Sequence, residues 1–321
     1  MERFEAILEQ VCASTGCTQV TKIERGYSFD HKYRLHGGDG RDYLLRITPL
    51  AEGEDRAAKE DEYHLIEEVG RYSAFVPRAY QFGVSGDERL CYMLLDYMEG
   101  VDGEEALPAM SPDEQYRLGL DAGRELLNVH RMAAPATIGP WRERFAAKYA
   151  RKCAVFEAMQ LPCGPVDKDR LAASIADNER FLTCPKQSFL HDDYHPANLI
   201  VADGRLTGII DFNRHDWGDP VHDFVKLAYF SRAVSIPFAA GQIDGYAGVK
   251  VPEVFWKKYA LYAAMTVIPD IVWSHWYAET ADAPEQIDYM WERVEQVWRD
   301  HDGFTEDIPR WYREYRPTAS R

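Results

Sequence analysis

The chain has 321 residues, with 37 Lys plus Arg against 53 Asp plus Glu, for a formal charge of −16. So acidic a surface repels phosphate backbones and anionic lipid headgroups, which argues against nucleic-acid and membrane partners. A hydrophobic content of 46% excludes a disordered chain, and the length is that of about two domains.

In chain order, the first ten residues carry three acids and no apolar core, so they do not read as a secretory signal and a cytoplasmic location is expected. A first helix is expected over 2–13. Val20-Thr21-Lys22-Ile23 alternates as a strand does, the stretch from Gly26 to Asp30 interrupts it, and 32–36 is extended again. Gly37-Gly38-Asp39-Gly40 is a hairpin turn, and Tyr43 to Ile47 is the return strand. Residues 54–70 follow a helical pattern, with Tyr63, Ile66 and Val69 apolar and Gly70 as the stop. Strands over 79–82 and 90–95 complete a small sheet. The acidic, glycine-punctuated stretch 99–103 reads as a connector.

Beyond it the chain is mainly helical. Ser111-Pro112-Asp113-Glu114 combines an N-cap serine, a proline at the first position and acids in the first turn, so a helix is expected from there to about His130. Two late helices are expected over 252–278 and 284–300. The apolar run from Tyr259 to Ile268 stops at Pro269-Asp270, short of the ~20 residues that cross a bilayer. The six cysteines (Cys12, Cys17, Cys91, Cys153, Cys163, Cys184) form no CxxC pair and are expected as reduced thiols. The predicted class is α+β: a small antiparallel sheet with one helix in 1–98, then a helical domain over 99–321.

The chemistry-bearing segment is His191-Asp192-Asp193-Tyr194-His195-Pro196-Ala197-Asn198, followed by a hairpin turning at Asp203-Gly204 that leads to Asp211. Short apolar strands on either side of that turn would bring Asn198 and Asp211 to the same end of the hairpin. A carboxylate and an amide oxygen, with water and phosphate oxygens, are the usual holders of Mg²⁺. Asp193, five residues before Asn198, would orient a substrate hydroxyl towards a phosphate on that metal. The spacing matches the kinase pattern H-R-D-x-x-x-x-N followed by an Asp on the next hairpin.

Asp192 stands where that pattern has Arg, and His195-Pro196 follow the Asp, so the segment resembles the aminoglycoside phosphotransferase/choline kinase family. There the loop reads H-G-D-x-H-x-x-N, with Asp192 here at the Gly position. The resemblance takes in Gly208-Ile209-Ile210-Asp211-Phe212 and Trp217-Gly218-Asp219-Pro220-Val221-His222-Asp223-Phe224. It also takes in Tyr43-Leu44-Leu45-Arg46-Ile47 and Asp96-Tyr97-Met98-Glu99-Gly100, which are similar to the family's third strand and interlobe hinge. It implies a two-lobed, protein-kinase-like fold with a nucleotide-binding N-lobe ending at a hinge near residue 98. It also implies ATP or GTP and Mg²⁺ as cofactors, with Asp193 as the catalytic carboxylate and Asn198 and Asp211 as metal ligands. Arg46 stands where a kinase has its phosphate-binding Lys, and Glu62 on the next helix is its expected partner. Gly26 and Ser28 fall in the expected phosphate-covering turn, and Asp96 and Met98 in the nucleotide-binding hinge. His191 is expected to brace the loop, and Asp219 and Asp223 to cap and support it.

The expected reaction is transfer of a γ-phosphate to a hydroxyl of a small cationic or hydroxylated molecule, foremost an aminoglycoside-type antibiotic. A metabolite kinase for choline, homoserine or a sugar amine, and a nucleotide-binding pseudokinase scaffold, stand as alternatives. Asp216, Trp273 and Trp276 are the candidate substrate contacts, since acids and aromatics suit a cationic substrate. The oligomeric state is open.

Overall fold

The structure is a computed structural model that describes residues 2–24, 30–50, 56–248 and 250–315. Its contacts divide the chain into two compact units, Met1–Gly100 with Thr207–Asn213, and Val101–Leu206 with Arg214–Arg321. The segment carrying Asp211 therefore groups with the first unit, whereas a linear division into 1–98 and 99–321 assigns it to the second.

The first unit opens with helix α1 (Glu2–Thr15), followed by β1 (Gln19–Ile23), β2 (His31–His36), β3 (Asp42–Pro49), helix α2 (Arg56–Val69), β4 (Ala79–Val84) and β5 (Leu90–Asp96). The five strands form one antiparallel sheet in the order β1-β2-β3-β5-β4. Side chains alternate across a strand, and this sets the two faces. Tyr43, Leu45 and Ile47 of β3 join Leu90, Tyr92 and Leu94 of β5 in a core closed by Ile7 and Val11 of α1. Leu44, Arg46 and Thr48 therefore point to the opposite face.

The second unit starts with β6 (Val101–Asp102) and the short helix α3 (Gly103–Ala106). Helices α4 (Pro112–Val129), α5 (Trp141–Ala158) and α6 (Lys168–Asn178) follow, then β7 (Ser188–Leu190) and β8 (Leu199–Ala202). Next come β9 (Arg205–Ile209), which carries the chain into the first unit's 207–213 segment, and β10 (Asp216–Gly218). The three-residue α7 (Arg232–Val234), α8 (Ile236–Ala247), α9 (Glu253–Thr280), α10 (Glu285–Asp300) and α11 (Arg310–Glu314) complete the chain. Helix α4 starts on a capping box in which Ser111 and Glu114 satisfy each other's backbone N–H. β7 and β10 pair antiparallel. Asp203 and Gly204, between β8 and β9, both have positive φ, 49° and 70°, as a tight hairpin turn requires. All six cysteines are free. No described helix is long and apolar enough to cross a membrane.

Helices α4 and α8 approach until their backbones touch. Gly119 and Gly123 of α4 face Gly241 and Gly245 of α8, and a Cβ on any of the four would collide with a carbonyl oxygen of the other helix. This crossing sets the position of α4, whose Ala122 carbonyl and C-terminal His130 both hold the loop described below. Replacing Gly123 by Ala is expected to destabilise the second unit by about 1–3 kcal/mol, the usual cost of overpacking. Thermal unfolding of the full chain reads this directly, and an unchanged midpoint would contradict the backbone contact.

Candidate active site

On the other face of the first unit's sheet, the Arg46 guanidinium is 2.8 Å from Glu62 of α2 and 2.8 Å from Asp30. Thr48, one alternation along β3, donates its hydroxyl to the other Asp30 oxygen at 2.8 Å. Arg46 and Glu62 are both buried. Burial disfavours the charge on Arg46, yet the two carboxylates outweigh it and raise its pKa. Burial likewise pushes Asp30 up, and Arg46 more than offsets this to hold it below its ordinary value. The structure thus unites Arg46 and Glu62, and adds Asp30, which sequence spacing does not single out. Lys32, beside Arg46 in the β2–β3 register, has its pKa lowered by burial and by Arg46, with Asp30 and Asp211 pulling it back. Asp211 therefore lies within electrostatic reach of this cluster, and its φ of 69° is left-handed.

Gly26 and Ser28 lie outside the described residues. Asp96 ends β5 with its carboxylate already engaged, accepting from the Arg78 N–H at 3.0 Å and the Tyr80 hydroxyl at 2.7 Å. Its side chain is a local brace, and the Asp96 and Tyr97 N–H groups are engaged as well, donating to the Arg78 carbonyl at 2.9 Å and the Asp42 carbonyl at 3.1 Å. Met98 packs on Gly208, where a Cβ would stand 3.0 Å from the Met98 side chain.

In the second unit, the loop after β7 carries Asp193. Asp192 precedes it with φ 57°. That conformation is costly for an L residue with a Cβ and free for glycine, which explains the Gly at this position of the family pattern. The Asp192 carboxylate lies 3.1 Å from His222 and 3.7 Å from Lys148. Burial pushes its carboxyl up, but His222 and Lys148 overcome this and bring it down to about 2. The wholly buried Asp223 carboxylate accepts from the backbone N–H of His191 at 2.8 Å, that of Asp192 at 2.7 Å, and His130 at 2.9 Å. Tyr194 donates to the Ala122 carbonyl of α4 at 2.8 Å. Asp219 plays the capping role, accepting from the Val221 N–H at 3.1 Å, and is also held by Lys258 and Tyr262.

The Asp193 carboxylate is 15% exposed and faces Lys226 at 2.8 Å, His195 at 3.6 Å and Arg214 at 3.9 Å. Burial pushes its carboxyl up, but the neighbouring His195 and the Lys226 ammonium hold it well below the usual carboxylate range. It is ionised at any physiological pH. The Asn198 amide NH₂ donates to the Asp193 carbonyl at 2.9 Å and to its carboxylate at 3.2 Å. The Asn198 carbonyl oxygen is thereby turned away from Asp193, as a neutral oxygen ligand would be. Among the described residues no three His, Cys, Asp or Glu side chains are grouped to hold a metal.

The substrate candidates separate. Asp216 is no open acid: its carboxylate is 3.0 Å from Arg144 and 3.7 Å from Lys148. Trp273 is half-buried, stacked on Tyr277 with ring centroids 5.1 Å apart, and lies under Arg214, which joins it to the Asp193 surroundings. Trp276 is 55% exposed and has no ring contact among the described residues. Lys226 and Arg214 escaped sequence reasoning. The one available signal was their position just after each acidic motif.

Among curated proteins none matches the chain significantly. Solved structures do, with the fold extending over nearly the whole chain. A thermostable mutant of aminoglycoside phosphotransferase APH(4)-Ia, in ternary complex with ADP and hygromycin B, is 18% identical, covering 91% of this chain and 98% of its own at a TM-score of 0.61. ADP-bound aminoglycoside phosphotransferase APH(2'')-Ib is 18% identical, with 91% and 98% covered at 0.60. The GDP complex of aminoglycoside 2'-phosphotransferase-IIIa is 16% identical, with 92% and 98% covered at 0.62. At these identities the likeness establishes a two-lobed α+β fold of that type. The model of the phosphotransferase enzyme family, APH, matches residues 19–255. With the family's sequence pattern running through well over half of the chain, this protein belongs to the phosphotransferase enzyme family.

Proposed function

We propose that the chain transfers the γ-phosphate of ATP or GTP, with Mg²⁺, to a hydroxyl of a small molecule. The observation that carries this reading is the ionised Asp193 carboxylate, tied to Asn198 on a loop clamped by Asp223. In this reading the first unit takes the nucleotide. Gly26 and Ser28 cover its phosphates, Arg46 pairs with them while Glu62 and Asp30 hold its guanidinium, and the hinge backbone from Asp96 to Met98 receives the base. Asn198 and Asp211 would hold Mg²⁺, which when bound neutralises charge on the β- and γ-phosphates.

Asp193 orients the acceptor hydroxyl. The hydroxyl oxygen bonds to the γ-phosphorus as the bond to the bridging oxygen breaks. The nucleoside diphosphate leaves with that electron pair, and the hydroxyl proton passes to Asp193. A carboxylate of such low basicity accepts the proton late, as the new bond forms.

Aminoglycoside-type antibiotics come first as acceptors, because aminoglycoside phosphotransferases stand among the matching structures, one bound to hygromycin B and another to gentamicin. A metabolite acceptor is the second reading. It is favoured by Lys226 and Arg214 beside Asp193 and by the pairing of Asp216 with Arg144, which leave little free negative charge for a polycation.

Replacing Asp193 by Ala is expected to cut turnover by about 10²–10⁴-fold, the range for a positioned base, with nucleotide affinity near wild type. A variant keeping more than about a tenth of wild-type turnover would remove Asp193 from the chemistry.

Asp211→Asn is expected to weaken Mg²⁺-dependent nucleotide binding and turnover together, and Asn198→Ala to do so more mildly, since it removes only a neutral oxygen. Magnesium titrations of nucleotide binding check this; curves overlaying wild type would exclude both as ligands.

A coupled nucleotide-turnover screen over aminoglycosides and amino alcohols decides the acceptor class. A polycationic acceptor should show a KM that rises steeply with salt, since its ion pairs are screened beyond about 8–10 Å. A neutral or zwitterionic acceptor turned over faster than every aminoglycoside, with a shallow salt effect, would select the metabolite reading.

A further inference from the structure

The second unit contains a cavity of about 490 Å³ whose charge is opposite to that of the chain as a whole. Arg144, Lys148 and Arg151 of α5 line it, spaced so that successive turns of the helix bring them to one face. Trp141 and Phe145, stacked with ring centroids 4.8 Å apart, contribute apolar surface to its lining. Among the described residues the one carboxylate lining it is that of Asp216.

The three cations are not equally engaged. Arg144 is fully committed: it donates to the Gly139 carbonyl at 3.2 Å, to Asp216 at 3.0 Å, and to Gln187 and the Trp217 carbonyl. Lys148 keeps only long ion pairs, 3.7 Å to Asp192 and 3.7 Å to Asp216, with half of its side chain exposed. Arg151 is exposed and has no ion-pair partner among the described residues. Lys148 and Arg151 are thus left with unspent attraction. Arg151 offers the planar fork that matches two oxyanion oxygens, and Lys148 a second positive charge one turn away on the same helix face.

We propose that this cavity is an oxyanion-binding site that takes the phosphate or carboxylate group of a small molecule, through Lys148 and Arg151. Lys148 also reaches Asp192, the residue before Asp193. The anion is therefore bound next to the proposed catalytic loop, and it is either a group of the acceptor itself or a separate small ligand. The first source rests on the phosphotransferase reading; the binding site does not.

The test is titration calorimetry of the full chain with inorganic phosphate, in saturating Mg²⁺–ADP so that the nucleotide site is filled, on wild type and on Lys148→Gln/Arg151→Gln. Both side chains are exposed enough for the variant to fold, which its thermal midpoint verifies. Phosphate affinity is expected to fall about tenfold in the variant, with Mg²⁺–ADP affinity unchanged. Equal phosphate binding by both proteins, or no binding by wild type at millimolar phosphate, overturns the site.

Steady-state kinetics then identify the source. If the acceptor brings the anion, the KM of an anion-bearing acceptor rises several-fold in Arg151→Gln alone, while its kcat and nucleotide KM stay near wild type. If the anion is separate, acceptor KM is unchanged and phosphate binding alone is lost. A chain that binds phosphate through Lys148 and Arg151 but turns over no acceptor would refute the proposed function and leave this site standing.

Discussion

Everything chemical in the second unit hangs on one buried carboxylate. Asp223 is fully removed from solvent, a position that would cost several kcal/mol for an unpaired charge. Three donors offset that cost: the His191 and Asp192 N–H groups and the His130 ring. The same bonds hold two consecutive peptide planes just ahead of Asp193, including the left-handed residue Asp192. His130 caps the end of α4, and Tyr194 ties the loop to the same helix from the other side. The loop is therefore only as well placed as α4, and α4 is placed by its glycine-to-glycine contact with α8.

In the first unit the equivalent constraint is the alternation of β3. Because Tyr43, Leu45 and Ile47 are committed to the core under α1, Arg46 has no choice but to face α2, where Glu62 meets it. A buried guanidinium between two carboxylates is held in one orientation by hydrogen bonds on both sides, so its remaining valence is directed rather than free. One more apolar residue inserted before Arg46 would turn this face to the core.

Local rules carried much of this from the chain alone. The Ser111–Glu114 capping box, the Gly37–Gly40 turn and the Asp203-Gly204 turn involve neighbours in sequence, so their physics is written in consecutive residues. Arg46 and Glu62 were legible only through the resemblance, which implies a cation on the third strand and a Glu on the next helix to hold it. The charge around Asp193 was not. Lys226 and Arg214 come from segments after the loop with no periodic signature, and Asp216 is neutralised by Arg144, 72 residues earlier in the chain. An acid looks the same in a sequence whether it is open or spoken for. The Gly119/Gly123 and Gly241/Gly245 spacings were present in the sequence, but only the packed helices show that they face each other.

Between the Asp223 turn and α8 the chain forms a π-helical turn, Leu227–Ser231. Such a turn holds one residue more than an α-helical path would. Phe230 lies in it, with the His195 ring stacked at 5.1 Å and the Lys226 and Arg293 head groups each 5.3 Å from its centroid. An α-helix rotates by about 100° per residue, so deleting a single residue here would regularise the helix while swinging one flank relative to the other by that angle. Phe230 could not then keep all three neighbours. Length in this segment is therefore under tighter constraint than composition: exchange of one aromatic ring for another preserves the arrangement, whereas loss of a residue, however neutral its side chain, dismantles it.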